Sequence, residues 1–453
     1  MGKELLSVGL DVGTTTTQMI LSRLRVENQA SSFAVPKMRI TQRQILYRGP
    51  VRFTPLLAAD LVDGPALRDL VEKEYACAGI TREDVDTGAV IITGETSRKE
   101  NAKTVLEMLS GFAGEFVVAT AGPDLESILA ARGAGAGELS QGKRVLHMDI
   151  GGGTSNLCLL EDGKILATGC LNVGGRLLKL DESGRITYQS PVLSELTNLQ
   201  KGDTPTDEQL MELARLLVKG LEMAAGLRPA DALLEKLLTK ETEKAWKIPE
   251  GVMLSFSGGV ADCIAKDYPS RQFGDFGPLL GRAIRESRLC RGEFALGKET
   301  IRATVIGAGC HSTQLSGSTV FYQNVTFPMK NLPVAVPENM EDSASVRQAL
   351  VGHDADAVVL AIPGYAAPDY GKVRNLANVI ARGVENRPVL VCLEADMAKA
   401  LGHCLQLLLP KGTPCLCLDG LSLAAGEYLD VGAPVGPALP VVIKTLVLNG
   451  GNP

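Results

Sequence analysis

Short apolar runs, each ending in a glycine turn, recur along the first two thirds of the chain. The run at residues 5–10 stops at Asp11-Val12-Gly13, and a threonine-rich segment continues over residues 14–22. Because glycine supplies the turn and β-branched threonines favour extended backbone, this pattern predicts a β-hairpin with Asp and Thr at its tip. The same order of strand, Asp, Gly-Thr turn and strand recurs over residues 144–167, which predicts two similar units.

Helical periodicity predicts helices between these strands. In residues 206–227 the apolar side chains recur every three to four positions, and Thr206 with Gln209 gives the pattern of a capping box. Further strands are predicted at residues 90–93 and 252–256. Residues 27–52 are predicted to be irregular, and residues 303–309 to be a strand with a glycine turn. The other predicted helices cover residues 58–78, 98–112 and 124–132.

After about residue 332 the pattern changes to alternating strands and helices. Buried strands are predicted at residues 357–362, 388–393, 416–418 and 440–446, and this alternation is typical of a separate α/β domain. We find no catalytic motif in it. The predicted organisation is therefore a first unit over residues 1–140, a second over 141–330 and a C-terminal domain over 331–453.

Composition narrows the possible functions. The chain has 453 residues, 45% of them apolar, and a net charge of -6, without a basic stretch carrying interleaved aromatics. This argues against binding to nucleic acid or to an anionic membrane, and no apolar run approaches the roughly 20 residues of a membrane span. The ten cysteines are scattered through apolar segments and no signal peptide is evident, so we expect reduced, buried thiols in a cytoplasmic protein. Cys415 and Cys417 are predicted to lie on a strand.

The two Asp-Gly-Thr turns carry groups that suit a magnesium nucleotide. Glycine lets backbone N–H groups approach phosphate oxygens closely, and threonine hydroxyls add donors without charge. A carboxylate at a strand end can hold Mg²⁺, usually through water, because this ion keeps much of its hydration shell. One such turn would be an ordinary hairpin tip. Two of them, followed by Gly258-Gly259 after an apolar strand, together indicate ATP binding.

Each motif then predicts roles for single residues. Asp11 and Asp149 are expected to hold Mg²⁺ and to position the attacking water. Glu95 is interpreted either as a catalytic residue that orients this water or as an acid that stabilises a helix N-terminus. The segment from Gly307 to His311 is interpreted as a hinge, a cleft wall or a packing turn. The expected phosphate-binding residues are Gly13, Thr14, Thr15, Gly151, Gly152, Gly153 and Thr154.

Residues 10–17 resemble the first phosphate loop of the actin/Hsp70/sugar-kinase superfamily, residues 149–154 its second, and residues 256–260 its adenosine motif. The resemblance implies that Gly258 and Gly259 contact the adenosine. The chain as a whole resembles the ethanolamine ammonia-lyase reactivating factors, the EutA family. The resemblance implies an α/β fold with the duplicated, ribonuclease H-like domains of an actin-like ATPase and an additional C-terminal α/β domain. The segments that carry it are residues 9–17, 92–102, 121–127, 147–156, 302–319 and 428–446.

This resemblance also implies a function. Members of the family use ATP and Mg²⁺ to drive the exchange of damaged cobalamin for intact adenosylcobalamin in ethanolamine ammonia-lyase. The lyase is then the expected partner, and the expected activity is ATP hydrolysis coupled to cofactor release. A cytoplasmic location, association with a bacterial microcompartment and a homodimer are compatible with this role.

Other functions of the same superfamily stay open. A small-molecule kinase needs an Asp that deprotonates the acceptor hydroxyl, and Asp124 at a helix start is the best candidate. An iron–sulfur activator ATPase needs paired cysteines near the second phosphate loop, whereas Cys158 and Cys170 are separated on predicted strands. A scaffold that polymerises with ATP is the third alternative, since filament interfaces cannot be recognised in one chain.

Overall fold

Three large β-sheets, two of them alike in strand order, organise the part of the chain that the structure describes. The computed structural model describes residues 3–13, 16–28, 38–58, 61–93, 105, 109, 117–120, 123–239, 242, 248–311, 313–317, 319–351, 353, 355–385, 387–434 and 438–445. Within these ranges we find no helix with the length and hydropathy of a membrane span.

The first sheet has the order β3-β2-β1-β7-β8, with β4 paired to β2. Strands β1, β2 and β3 are antiparallel, while β7 and β8 run parallel to β1. Helix α1 covers Gly64–Ala78, starts at an N-cap from Asp63 and ends at the left-handed Gly79. The strands, including the separate pair β5 and β6, are β1 Lys3–Val12, β2 Thr16–Asn28, β3 Met38–Arg48, β4 Arg52–Phe53, β5 Leu56–Ala58, β6 Leu61–Val62, β7 Thr87–Ile92 and β8 Val117–Thr120.

The second sheet repeats this arrangement in the order β11-β10-β9-β14-β15. Its first three strands are antiparallel, and β14 and β15 run parallel to β9. The repeated strand order confirms the duplicated α/β fold of the actin-like class. The strands, with the small pair β12 and β13, are β9 Arg144–Ile150, β10 Ser155–Glu161, β11 Lys164–Leu171, β12 Leu178–Leu180, β13 Ile186–Gln189, β14 Met253–Ser257 and β15 Phe294–Leu296.

The helices of this region follow the predicted periodicity. The capping box at Thr206 is present, with both reciprocal hydrogen bonds to Gln209, and the apolar face of the helix that follows is buried in the largest core cluster. The helices are α2 Pro123–Gly133, α3 Ala136–Leu139, α4 Asp207–Ala224, α5 Ala232–Leu237, α6 Gly259–Ala265, α7 Gly277–Glu286 and α8 Ala303–Ile306.

Helices α2 and α8 connect the two sheets. Helix α2 follows the first sheet in the chain but packs on β9, β10 and β11 of the second. Helix α8 and the π-helical turn Gly307–His311 follow the second sheet but pack on β1 and β2 of the first. The two helices cross at glycines: a Cβ on Gly133 would lie 1.8 Å from the Ala303 carbonyl oxygen.

The helical structure of residues 303–311 corrects the predicted strand. The run Ala303-Thr304-Val305-Ile306 has the β-branched composition of a strand, yet tertiary contact overrides that preference. A Cβ on Gly307 would lie 2.0 Å from the Leu129 carbonyl oxygen, so this close backbone contact needs a side-chain-free position. Such an approach suits two crossing helices.

The third sheet has the order β16-β23-β22-β18-β19-β20-β21-β17, with β18 to β21 parallel. It begins at Thr313, and the predicted domain boundaries stay a prediction. Its strands are β16 Thr313–Leu315, β17 Phe321–Gln323, β18 Met329–Ala335, β19 Val359–Ile362, β20 Val389–Leu393, β21 Cys415–Leu418, β22 Glu427–Val431 and β23 Pro440–Thr445. Its helices are α9 Ser343–Val351, α10 Tyr370–Val384 and α11 Ala398–Leu408.

Two further expectations need correction. The segment at residues 27–52, predicted to be irregular, contains the long strand β3; this strand is largely solvent-exposed at the sheet edge, so its polar residues hide the period of two. Among the cysteines, Cys77 is exposed and Cys290 is half-buried, while the other eight are buried and all ten are free thiols. Cys415 and Cys417 lie on β21, as predicted.

Candidate nucleotide site between two turns

Asp11 and Asp149 occupy equivalent places near the ends of the central strands β1 and β9. Asp149 is buried and Asp11 is partly buried. Oδ1 of Asp11 accepts a hydrogen bond from Thr93 Oγ1 at 2.8 Å. Oδ1 of Asp149 accepts one from Ser257 Oγ at 2.5 Å, and the Thr304 hydroxyl also bonds this carboxyl group. Each carboxyl group is thus fixed by neutral hydroxyl donors.

The protonation of these two carboxyl groups reflects their surroundings. Burial raises the pKa of Asp11 to about 7; the Thr93 hydrogen bond opposes this and the nearby charge of Asp149 adds to it. Burial also raises the pKa of Asp149 to about 6, against its hydrogen bonds from Ser257 and Thr304. No described Lys or Arg is among the groups that shift either pKa. Two carboxylates that repel each other without a basic partner fit a divalent cation, whose charge would favour their ionised forms.

The two turns after these aspartates are closed by the same hydrogen bond. The Gly13 N–H donates to the Thr16 carbonyl at 2.9 Å, and the Gly151 N–H donates to the Thr154 carbonyl at 2.9 Å. A Cβ on Gly153 would meet no atom within 4 Å, so this position borders open space. Gly13, Gly151, Gly152, Gly153 and Thr154 therefore lie on paired turns, while their contacts with phosphate stay a prediction. Thr14, Thr15 and Glu95 lie outside the described residues.

The glycine pair after β14 lies directly behind the second turn. Gly258 has φ 85° and ψ 172°, a conformation open essentially to glycine alone. A Cβ on it would lie 2.3 Å from the Ile150 carbonyl oxygen, and Gly259 begins helix α6. In the sheet, Ser257 stands beside Asp149 in register. The fold thus brings the third motif against the second, while the adenosine contact itself stays a prediction.

The supporting roles of several polar residues at this site are missed by sequence reasoning. Behind Asp149, the buried ring of His147 has Nε2 2.8 Å from Ser257 Oγ and Nδ1 3.1 Å from Ser255 Oγ. Burial lowers the pKa of His147 to about 3, which keeps the ring neutral. Gln18, the antiparallel neighbour of Asp11, is buried and donates from Nε2 to the Ile301 carbonyl. The alternation of polar residues on these strands is the one signal that could have revealed them.

A pocket of about 240 Å³ opens beside both turns. On one side Thr54 donates to the Gly13 carbonyl at 2.8 Å. On the other, the stem of Arg176 packs against Gly152 and its Nε donates to Asp275 at 2.8 Å. Arg176 and Lys179 therefore give this otherwise mostly apolar lining its cationic groups. The lining residues are Phe53, Thr54, Leu56, Arg176, Lys179, Phe273 and Gly274.

The residues that the alternative functions would use lie outside the two turns. Asp124, the possible kinase base, is exposed and accepts a hydrogen bond from Thr168 Oγ1 at 2.6 Å. Cys158 and Cys170 are buried on adjacent strands β10 and β11. Gly309 packs against Gly9 of β1, which fits the packing interpretation of this glycine segment; the His311 side chain lies outside the described residues.

Comparison with protein families gives a match over nearly the whole chain. The model of the ethanolamine utilisation protein EutA family matches residues 3–449. The chain belongs to the EutA family. Two EutA proteins named ethanolamine ammonia-lyase reactivase are each 39% identical to it and aligned over 98% of both chains. They come from Salmonella typhimurium (strain LT2), over 469 residues, and from Escherichia coli (strain K12), over 464 residues.

Among solved structures, the type II Ppx/GppA phosphatase of Aquifex aeolicus is 13% identical to this EutA-family chain. The alignment covers 67% of this chain and 99% of the phosphatase, with a TM-score of 0.41. We assign the fold of this EutA-family protein from the repeated strand order of its first and second sheets.

Proposed function

We propose that this EutA-family protein is an ATP-dependent reactivase of adenosylcobalamin-dependent ethanolamine ammonia-lyase. The observation that carries the proposal for the client is the 39% identity to two reactivases over 98% of the chain. ATP as the energy source is supported by the paired turns at Gly13 and Gly151 and by Asp11 and Asp149 beside them, which are close enough for the charge of Asp149 to raise the pKa of Asp11. ATP and Mg²⁺ are thus the proposed cofactors.

In the proposed site, carboxylates bind the metal ion and backbone N–H groups bind the phosphates. Asp11 and Asp149 would hold the magnesium ion, whose charge would offset that of the phosphates. The N–H groups of Gly152 and Gly153 would donate to phosphate oxygens, since those of Gly13 and Gly151 close the turns themselves, and Gly258 would lie against the nucleoside. Thr93 and Ser257 orient the two carboxylates by donating to them. Hydrolysis in such a site depends mostly on positioning and charge neutralisation.

The crossing of α2 and α8 would couple nucleotide binding to the relative position of the two sheets. Each sheet carries a turn of the site, and each is packed against a helix that connects to the other sheet. A nucleotide that binds both turns would favour the closed arrangement of the two halves, and its loss would favour the open one. Different affinity of these states for the lyase would drive release of damaged cobalamin.

The same proposal extends to location and assembly. We place the protein in the cytoplasm, with association to a bacterial microcompartment and a homodimer as further parts of the proposal. The proposed domains are residues 1–140, 141–330 and 331–453, the last of them without a recognised catalytic motif.

The decisive experiment is a reactivation assay. Ethanolamine ammonia-lyase is inactivated with cyanocobalamin, and this protein is added with adenosylcobalamin, with Mg-ATP, with ATP in excess EDTA or with no nucleotide. Recovery of lyase activity only with Mg-ATP supports both the client and the energy source. ATP hydrolysis without recovery would overturn the client and favour a kinase or another ATPase of this fold.

A further inference from the structure

A row of buried polar side chains lies directly behind Asp149. His147, Ser255 and Ser257 are all at most 1% exposed, although apolar side chains such as Met148 and Phe256 line the same strands. In the parallel register, His147 stands beside Ser255, and Asp149 beside Ser257. Since side chains two residues apart share one face of a strand, the four groups form one row.

Hydrogen-bond chemistry fixes the direction of this row. An ionised Asp149 can only accept, so the single proton of Ser257 is donated to it across 2.5 Å. The Ser257 oxygen then needs a donor, and His147 Nε2 lies 2.8 Å away. With the proton on Nε2, Nδ1 of a neutral ring accepts from the Ser255 hydroxyl at 3.1 Å. Every donor therefore points toward the carboxylate.

The first sheet provides an internal comparison. Its equivalent pairs are Gly9 beside Ala89 and Asp11 beside Ile91, so the row that backs Asp149 is replaced by apolar residues and glycine. Asp11 receives its hydrogen bond from Thr93, beyond the strand end. The row is therefore a property of the second turn alone and is not required by the duplicated fold.

We propose that His147 is a positioning residue, which acts through Ser257 to fix the rotation of the Asp149 carboxylate and its role as an acceptor toward the magnesium nucleotide. The inference rests on the proposed nucleotide site. A buried imidazole without partners would be costly, whereas this one has both nitrogens satisfied in a single order. Partners of this kind that hold a metal ligand typically change metal affinity 10–100-fold when removed.

Two measurements on the full-length protein test the inference. The first is the ¹⁵N spectrum of histidine-labelled protein, in which His147 is one of only four histidines and is assigned with His147→Leu. We expect protonated Nε2 and unprotonated Nδ1. The second is the Mg²⁺ concentration that half-saturates binding of a fluorescent ADP analogue. We expect it to rise about tenfold in Ser257→Ala and in His147→Leu.

Controls separate positioning from a general loss of packing. Ser257→Thr keeps the hydroxyl and should recover most of the Mg²⁺ affinity that Ser257→Ala loses. Ser22→Ala removes another buried hydroxyl, bonded to Cys310 and remote from the turns, and should also leave the Mg²⁺ dependence unchanged. The double variant His147→Leu/Ser257→Ala should need no more Mg²⁺ for half-saturation than either single variant, because both residues act through the same series of hydrogen bonds.

Each outcome decides one point. A proton on Nδ1 of His147, or a Ser257→Ala protein with wild-type Mg²⁺ dependence, would overturn the inference while leaving the nucleotide site in place. If the wild-type protein bound no nucleotide at all, the proposed function would fail, and with it the role of this row.

Discussion

Replacing Asp11 by Asn should stabilise the nucleotide-free protein at neutral pH. The folded state raises the pKa of Asp11 from 3.8 to about 7. Between these values the folded protein binds more protons than the unfolded chain, so its stability falls as pH rises from about 4 to 7. The rise in pKa corresponds to at most about 4 kcal/mol, because one pKa unit is about 1.36 kcal/mol. Asn keeps an oxygen that accepts from Thr93 but has no charge to bury.

The assay is urea denaturation followed by circular dichroism at pH 4 and pH 8, using the first transition because a chain of this size need not unfold in one step. The free energy of unfolding of Asp11→Asn should exceed that of wild type at pH 8 and match it at pH 4. The wild-type Asp149 carboxyl group has a pKa of about 6, so Asp149→Asn should also be more stable than wild type at pH 8, by a smaller free energy of unfolding. Added Mg-ADP should stabilise wild type more than either variant. Equal curves at pH 8, or a less stable Asp11→Asn, would refute the argument that these carboxylates are buried at a cost.

Three other variants test the site and the helix crossing. Asp149→Ala should abolish ATP hydrolysis with an unchanged circular dichroism spectrum, and wild-type turnover would contradict the site assignment. Gly258→Ala should lower stability by about 1–3 kcal/mol through its strained backbone, and weaken nucleotide binding by displacing Ile150; a thermal melt and a binding titration measure both. Gly307→Ala should also cost about 1–3 kcal/mol, since its Cβ would meet the Leu129 carbonyl at 2.0 Å, and a melting temperature equal to wild type would show that the crossing can relax.

Local patterns predicted the parts of the fold that local patterns control. The hairpin at Asp11, its repeat at Asp149 and the capping box at Thr206 each follow from residues close in sequence, and each is confirmed. Strand β3 was missed because an exposed edge strand needs little apolar periodicity. Residues 303–311 were predicted in the wrong class because their helix depends on glycines that touch another helix far away in the chain.

The candidate site shows the same limit. Asp11, Gly13 and Asp149 could be selected by motif, since each belongs to an Asp-Gly-Thr pattern of residues close together in the sequence. The supporting roles of Ser257 and His147 could not be predicted, because the alternation of polar residues on a strand identifies no partner until the parallel register of β9 and β14 sets them in one row. Long-range pairing, which the sequence does not print, decides which polar residues support the carboxylates.

The exchange of helices between the two sheets has a consequence during synthesis on the ribosome. The last strand of the first sheet ends at Thr120, whereas the turn Gly307–His311 that covers one of its faces comes about 190 residues later. At about 5–20 residues per second this corresponds to about 10–40 s of translation. During that interval the part of β1 and β7 that this turn covers in the folded protein stays open to the cell's general folding machinery.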